Sequence, residues 1–319
     1  MSLVAENKIL RFLSVKIYHS IEAFEKVENA VVTTGTFDGV HIGHLKIIDR
    51  LRKIANAIDG ETVLLTFSPH PRIVLFSDNS LKLISTKNEK IELLKQAGID
   101  HLIIHPFSRE FSRLSSVEFV RDVLVNKLGT SRLVIGYNHH FGRNREGSFE
   151  HLKEFGPLYG FQVEEISAQD VQEVSVSSTK IRKALESGDI KTARAYLTHD
   201  FCLSGIVVKG NHLGHKIGFP TANIKVVDSH KLIPANGVYA VRVLVRGKEH
   251  KGMLNIGVRP TIDGSEKTIE VHIIDFDEDI YGERLVIFFD DWIRKEQKFE
   301  SLDALKNQLM RDRLEVLNR

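Results

Sequence analysis

The texture of this chain changes once, near residue 200, and that change limits the folds open to it. Before it, apolar runs of strand character alternate with stretches of helical spacing. Residues 30–34, 61–67, 101–105, 132–137 and 161–166 read as strands. Residues 44–57 place Leu45, Ile48, Leu51, Ile54 and Ala55 at helical intervals. Residues 88–97 read as a helix stopped by Gly98, and 117–128 as another. Such alternation makes a parallel sheet covered by helices. From Phe201 the pattern is strand and turn. Residues 201–208, 237–245, 251–256, 268–276 and 284–289 are the strands, with turns at Arg246-Gly247-Lys248 and Asp263-Gly264. About five or six strands at this spacing predict a small closed barrel. Ser301 then caps a last helix, with Leu302, Leu305, Leu309 and Met310 on one face. The connection, 181–197, reads as a helix, a stop at Gly188 and a second short helix.

A length of 319 residues suits about two domains. The formal charge of +2, without a concentrated basic stripe, argues against nucleic acid and for small-molecule partners. A single cysteine, Cys202, excludes an internal disulfide and fits a reducing cytoplasm; it reads as a small buried hydrophobe. No stretch is apolar enough to span a membrane, and the N-terminus carries no signal-peptide pattern. The expected state is a monomer or weak homo-oligomer.

The segment Gly35-Thr36-Phe37-Asp38-Gly39-Val40-His41-Ile42-Gly43-His44 joins the strand ending near Thr34 to the next helix. Glycine at the strand end lets a nucleotide approach the backbone. The helix N-terminus offers free N–H groups and a favourable dipole to an anion. His41 and His44, three apart, can donate to phosphate oxygens as charge grows on an attacked α-phosphate and on leaving pyrophosphate. The competing readings are an accidental surface pair and, below it, zinc held by the two histidines and Asp38, for which no further ligand has the spacing. In Ser177-Ser178-Thr179-Lys180-Ile181-Arg182, hydroxyls open a helix with a cation one turn in, a second phosphate clamp. Alone it is only a helix cap. Together and in this order, the two segments resemble the HIGH-type nucleotidyltransferases and point to transfer of AMP from ATP.

Three stretches follow strands and so belong at the ligand-binding edge of a parallel sheet. They are Thr66-Phe67-Ser68-Pro69-His70-Pro71, then 136–142 with Tyr137, Asn138 and Phe141, then Arg143-Asn144-Arg145-Glu146-Gly147. Phe67 and Phe141 can wall a flat ring, Asn138 can bond its polar edge, and Arg143 and Arg145 can hold phosphate. A proline turn and a solvated basic loop would look alike. In the second half, Gly205, Gly210, Gly214 and Gly218 bracket a loop able to cover a nucleotide. Thr221 and Asn223, two apart, point the same way in an extended segment and carry hard oxygen ligands suited to Mg²⁺. In 268–273, Ile269, Val271 and Ile273 take one face and Thr268, Glu270 and His272 the other. With the apolar face inside a barrel, Glu270 lies outside, either solvated or placed to take a proton from an attacking hydroxyl.

Over its whole length the chain resembles the bacterial bifunctional riboflavin kinase/FAD synthetases. The resemblance rests on TTGTFDGVHIGH, TFSPHP, GYNHHFGRNREG and SSTKIR, then on PTAN, 255–261 and Glu270 with Asp275-Phe276. It implies a Rossmann-like α/β domain, 1–197, that adenylylates FMN. It implies a six-stranded antiparallel barrel with a terminal helix, 198–319, that phosphorylates riboflavin. In the first, Gly35, Phe37, Asp38, His41, His44, Ser178, Thr179 and Arg182 would bind ATP. Phe67, His70, Asn138 and Phe141 would bind flavin. In the second, Glu270 is the base, Thr221 and Asn223 hold Mg²⁺, and Gly210, Gly214, Lys216 and Gly218 cover ATP. Riboflavin, FMN and FAD are substrates or products. Asn138 stands where many members have Asp, so it binds rather than moves a proton. Asn211 and His215 stand where Asp and Arg are common. The alternative is the same adenylyltransferase with an inactive or regulatory barrel.

Overall fold

The computed structural model describes residues 15–76, 80–136, 140–166, 176–210, 214, 217–261 and 264–319. Contacts divide the chain into two compact units, Met1–Ser177 and Ser178–Arg319. The first carries β1 (Lys16–Tyr18), β2 (Ala30–Thr34), α1 (Ile42–Ala57), β3 (Thr62–Phe67), α2 (Pro71–Phe76) and α3 (Lys87–Gln96). It continues through β4 (His101–His105), α4 (Ser116–Glu118), β5 (Thr130–Gly136), α5 (Phe149–Tyr159) and β6 (Gln162–Ile166). The strands form one sheet in the order β1-β4-β3-β2-β5-β6, every pair parallel.

The strands are apolar throughout because both faces of the sheet are covered. Val32, Leu65, Ile103, Leu133 and Ile135 pack on one face with Phe119, Val120 and Leu124. Leu64, Leu102 and Ile104 pack on the other with Ile48 and Leu94, and Val31 and Val134 with Leu51 and Ala55. The chain runs β2-β3-β4 in one direction across the sheet, then crosses back to β5. The order therefore reverses between β2 and β5, and the crevice at their carboxyl ends is where ligands bind in such sheets. The loop 35–41 opens from that end of β2.

The helix expected over 117–128 is wider than an α-helix. After α4 the chain forms a π-helical stretch, Phe119–Val125, in which Asn126 N–H donates to the Arg121 carbonyl at 2.9 Å. Phe119, Val120, Val123 and Leu124 all stay on the sheet side. In this unit β1, α2 and α5 lay outside the sequence reading. β1 has only three residues, and α2 buries none of its side chains, so neither carries a periodic signal.

The second unit opens with α6 (Ser178–Ser187) and α7 (Ile190–Leu197), the two helices expected around Gly188. Then come β7 (Cys202–Val208), β8 (Ala222–Val226), β9 (Gly237–Val245), β10 (Lys248–Thr261), β11 (Gly264–Ile273) and β12 (Arg284–Arg294). They close an antiparallel barrel in the order β10-β11-β8-β7-β12-β9, so the sheet has no free edge. The missed strand was β8, which follows the glycine loop directly. Leu203, Val241, Leu254, Val271, Ile287 and Phe289 fill the interior. Cys202 is half-buried, more accessible than expected.

The last helix, α8 (Leu302–Leu317), is capped by Ser301, whose hydroxyl accepts from Ala304 N–H at 3.1 Å. Arg294 on β12 pins it through Asp312, 2.7 Å at the closest approach, and Gln308 donates to the same carboxylate. Leu309 packs toward Met253 and Ile274, while Leu302 and Met310 of the expected apolar face are exposed. α7 is tied to β12 by Arg194, which donates to the Phe289 carbonyl at 3.1 Å. Gly188, between α6 and α7, has φ +81° and lies on the face of Trp292, where a Cβ would overlap the ring. Gly188→Ala is expected to destabilise the second unit by roughly 2–4 kcal/mol, combining overpacking with a forbidden φ. Urea unfolding followed by Trp292 fluorescence measures it.

Candidate functional sites

Three residues of the loop after β2 are left-handed: Phe37 at φ +48°, Gly39 at +83° and Val40 at +40°. A β-branched residue there is strained, and strain of this kind collects at functional sites. Burial holds the loop in place. Phe37 and Val40 pack with Ile48, Leu64 and Leu94. Asp38, 3% exposed, accepts from Ile84 N–H at 3.0 Å and Ser85 N–H at 3.1 Å. The Ser85 hydroxyl accepts from Gly39 N–H at 3.0 Å, and a Cβ on Gly39 would meet Ile84 at 2.9 Å.

The loop delivers His41 as the N-cap of α1, its Nδ1 accepting from His44 N–H at 3.4 Å. The two imidazoles stack at 3.7 Å with their planes 14° apart. The buried His44 Nδ1 has no hydrogen-bond partner among the described residues. Burial, then the neighbouring charges of His41 and Lys90, holds His44 well below the ordinary histidine range. At neutral pH it is an uncharged ring at a helix N-terminus. Phe37 and Asp38, expected to touch ATP, turn their side chains into the protein, so only their backbone is open to a ligand.

Beside the loop after β2, Phe67 ends β3 and packs edge-on to Phe107 at 5.4 Å and tilted to Phe111 at 5.6 Å. His105, at the end of β4, lies 4.7 Å from Phe111. These rings form a partly exposed aromatic wall. Phe107, Phe111 and His105 were not anticipated, because they lie at and just after the end of β4 in a stretch without motif character. Phe141 was expected in the wall but its ring is buried against Phe119 at 5.6 Å. It closes a turn on Gly147, which has no room for a Cβ beside that ring. His70 accepts from Arg72 N–H at 3.1 Å. Asn138 lies outside the described residues. Ser178 and Thr179 open α6 with Arg182 one turn on, in the second unit.

In the barrel, Ile269, Val271 and Ile273 face inward and leave Glu270 on the outer face, as the alternation required. Glu270 pairs directly with Asn223 across β11 and β8, so the two side chains share a face. The Thr221 hydroxyl donates to Glu270 Oε2 at 3.4 Å, and Arg259 lies 3.4 Å from Oε1. Arg259 is the unanticipated neighbour. On the same strand face His272 bonds the Pro220 carbonyl at 2.8 Å, and burial lowers its pKa. Gly210 lies so close to the Asn223 amide that a side chain would displace it, and Gly214 sits on the Phe219 carbonyl. Gly218 has φ +83°. Lys216, Asn211 and His215 lie outside the described residues. A cavity of about 320 Å³ adjoins Thr221 and is walled by Val207, Phe276 and Tyr281. Another of about 320 Å³, among Arg52, Asn56 and Lys95, lies at the opposite end of the parallel sheet from its ligand-binding edge. Among the described residues, no three acidic, histidine or cysteine side chains gather as a metal cage, and no helix is long and apolar enough to cross a membrane.

A parallel-sheet crevice with paired histidines in one unit, and a carboxylate beside Thr221 and Asn223 on a barrel in the other, fit a two-module nucleotide enzyme. The FAD synthetase family model matches residues 23–180 and the riboflavin kinase model residues 197–318. A bifunctional riboflavin kinase/FMN adenylyltransferase of Buchnera aphidicola (subsp. Schizaphis graminum) is 38% identical over 93% of this chain and 96% of its own. One from Escherichia coli K12 is 37% identical over 90% and 91%. A crystal structure of a protein named macrolide-efflux protein, from Streptococcus pneumoniae, superposes with TM-score 0.86 at 30% identity, covering 96% of this chain and 99% of that one. The chain belongs to the bifunctional riboflavin kinase/FMN adenylyltransferase family.

The depressed His44 has a consequence for stability. The unfolded chain binds that proton more readily, so stability from neutral His44 is present above about pH 6.5 and lost as pH falls. His44→Gln is expected to flatten this acid limb. Urea unfolding at pH 7 and pH 5 checks it, and an equal loss in both proteins would refute the account.

Proposed function

We infer that this chain converts riboflavin to FMN with one ATP and FMN to FAD and pyrophosphate with another. The observation that carries the two-step reading is the convergence of Thr221, Asn223 and Glu270 on one barrel face. A barrel kept only for regulation has no need of that arrangement. We assign the functional divisions to 1–197 and 198–319.

In the kinase step the ribityl 5′-hydroxyl oxygen attacks the γ-phosphorus of ATP, and ADP leaves. Glu270 takes the hydroxyl proton. The cavity beside Thr221 is our candidate for the nucleotide, with Gly210, Gly214, Lys216 and Gly218 in the covering loop. Thr221 Oγ1 and the Asn223 side-chain oxygen are a hard donor pair suited to Mg²⁺ that also binds phosphate and water. That metal, when bound, offsets charge on the phosphates.

In the adenylyl step a phosphate oxygen of FMN attacks the α-phosphorus of ATP, and pyrophosphate leaves. The backbone at Gly35 and the start of α1, with His41 and His44 as donors, would stabilise the growing charge. Phe67, Phe107 and Phe111 would hold the isoalloxazine ring, with His70 and Asn138 near its edge. Ser178, Thr179 and Arg182 stay as ATP contacts on the resemblance. A single cysteine and two ATP-consuming steps support a cytoplasmic enzyme with small-molecule partners, as a monomer or weak oligomer without nucleic acid.

The purified chain given riboflavin, ATP and Mg²⁺ is expected to form FMN and then FAD; absence of both refutes the reading. Glu270→Ala is expected to stop FMN formation and spare FAD formation from supplied FMN. Loss of both activities together would overturn the division of labour. FAD formation by the unaltered chain without riboflavin phosphorylation would mark the barrel as regulatory.

A further inference from the structure

Lys90 is buried on α3, where it reaches the loop after β2 and the carboxyl end of β3. Its Nζ donates to the Thr36 carbonyl at 3.0 Å, to Thr66 Oγ1 at 3.2 Å and to the Phe67 carbonyl at 3.3 Å. The Thr66 hydroxyl donates in turn to the Thr36 carbonyl at 3.1 Å. Thr36 belongs to the nucleotide loop, and Thr66 and Phe67 to the strand end that carries the aromatic wall. An ammonium group has three protons. Here all three have acceptors, which leaves none for a phosphate.

We propose that Lys90 is a positioning residue for FAD formation, holding the nucleotide loop and the aromatic wall at the separation that brings FMN phosphate to the α-phosphorus. The proposal rests on the assignment of those loops to ATP and FMN. Misplacement by about 1 Å in such an arrangement costs on the order of a hundredfold in rate.

The charged state matters, because a neutral amine has only two protons to donate and releases one of the three acceptors. The groups facing Lys90 are Asp38 from the loop after β2, His44 from α1 and Lys87 from its own helix. Burial brings the Lys90 pKa down to about 8, with Asp38 opposing the shift and Lys87 adding to it. The unfolded chain keeps this proton to about pH 10.4. Between those values the unfolded state binds more protons, so the Lys90 contribution to stability rises with pH. Positioning is lost over the same interval. Adenylyl transfer and stability therefore respond to this proton with opposite signs, which a purely structural lysine would not produce.

The test uses the full chain and measures FAD formation from supplied FMN alongside riboflavin phosphorylation, from pH 6.5 to 9.5. Wild-type kcat for FAD formation is expected to fall above about pH 8, with no matching limb in the kinase activity. Lys90→Arg, which stays charged, is expected to remove that limb. Lys90→Met is expected to lower kcat at pH 7 by about 10- to 100-fold, with KM for ATP changed less and kinase activity intact. An unchanged kcat in Lys90→Met, or an alkaline limb that persists in Lys90→Arg, overturns the proposal. If either variant fails to fold, Thr66→Val decides: a several-fold fall in kcat supports the tie and an unchanged kcat overturns it. A wild-type chain making no FAD at any pH would instead refute the functional assignment.

Discussion

Asp38 connects parts of the first unit that are far apart in sequence. The loop leaving β2 turns through three left-handed residues before α1 begins, and nothing local favours that path at Phe37 or Val40. The buried rings and methyls of those residues resist its relaxation, and the Asp38 carboxylate fastens it to the backbone at Ile84 and Ser85. His41 can cap α1, and His44 can stack on it, only because the chain arrives from this direction. The site's donors are thus aimed by a segment more than forty residues away. A preorganised donor is effective because it need not rearrange during reaction.

Much of the fold was legible because its signals are collective. Five parallel strands and the barrel strands β7 and β9 fell within a few residues of their observed bounds, while β10, β11 and β12 were found with at least one end displaced further. In them apolar residues outnumber every other signal, and the register of inward and outward positions at 269–273 held. Shorter or mixed elements were not legible. β1 is too brief for a pattern, β8 hides behind glycines, and a π-helix has the same residue types as an α-helix.

The site divides along similar lines. That Thr221 and Asn223 point the same way and Glu270 points out of the barrel was readable because alternation along an extended chain fixes direction. Phe37 was expected at ATP and Phe141 at a flat ring, yet both rings are buried, because an aromatic ring within a motif shows its type but not the face it takes. Arg259 and the Phe107–Phe111 wall come together only through pairing and loop return. Lys90 did leave a trace: it lies four residues before Leu94, the buried leucine of α3, and so on the apolar face. In a helix as charged as KNEKIELLKQ, that trace is hard to separate from an ordinary solvated lysine.

The chain also holds two carboxylates that spacing alone treats alike. Asp38 lies at 3.0 and 3.1 Å from amide donors in a dry setting. Glu270 lies at 3.4 Å from a hydroxyl and at 3.4 Å from a guanidinium, on a half-open face. The first is saturated by groups that cannot leave. The second is lightly tethered by side chains that can swing aside. A carboxylate that braces the fold and one proposed to take a proton differ here by a few tenths of an ångström, and by whether their partners belong to the backbone.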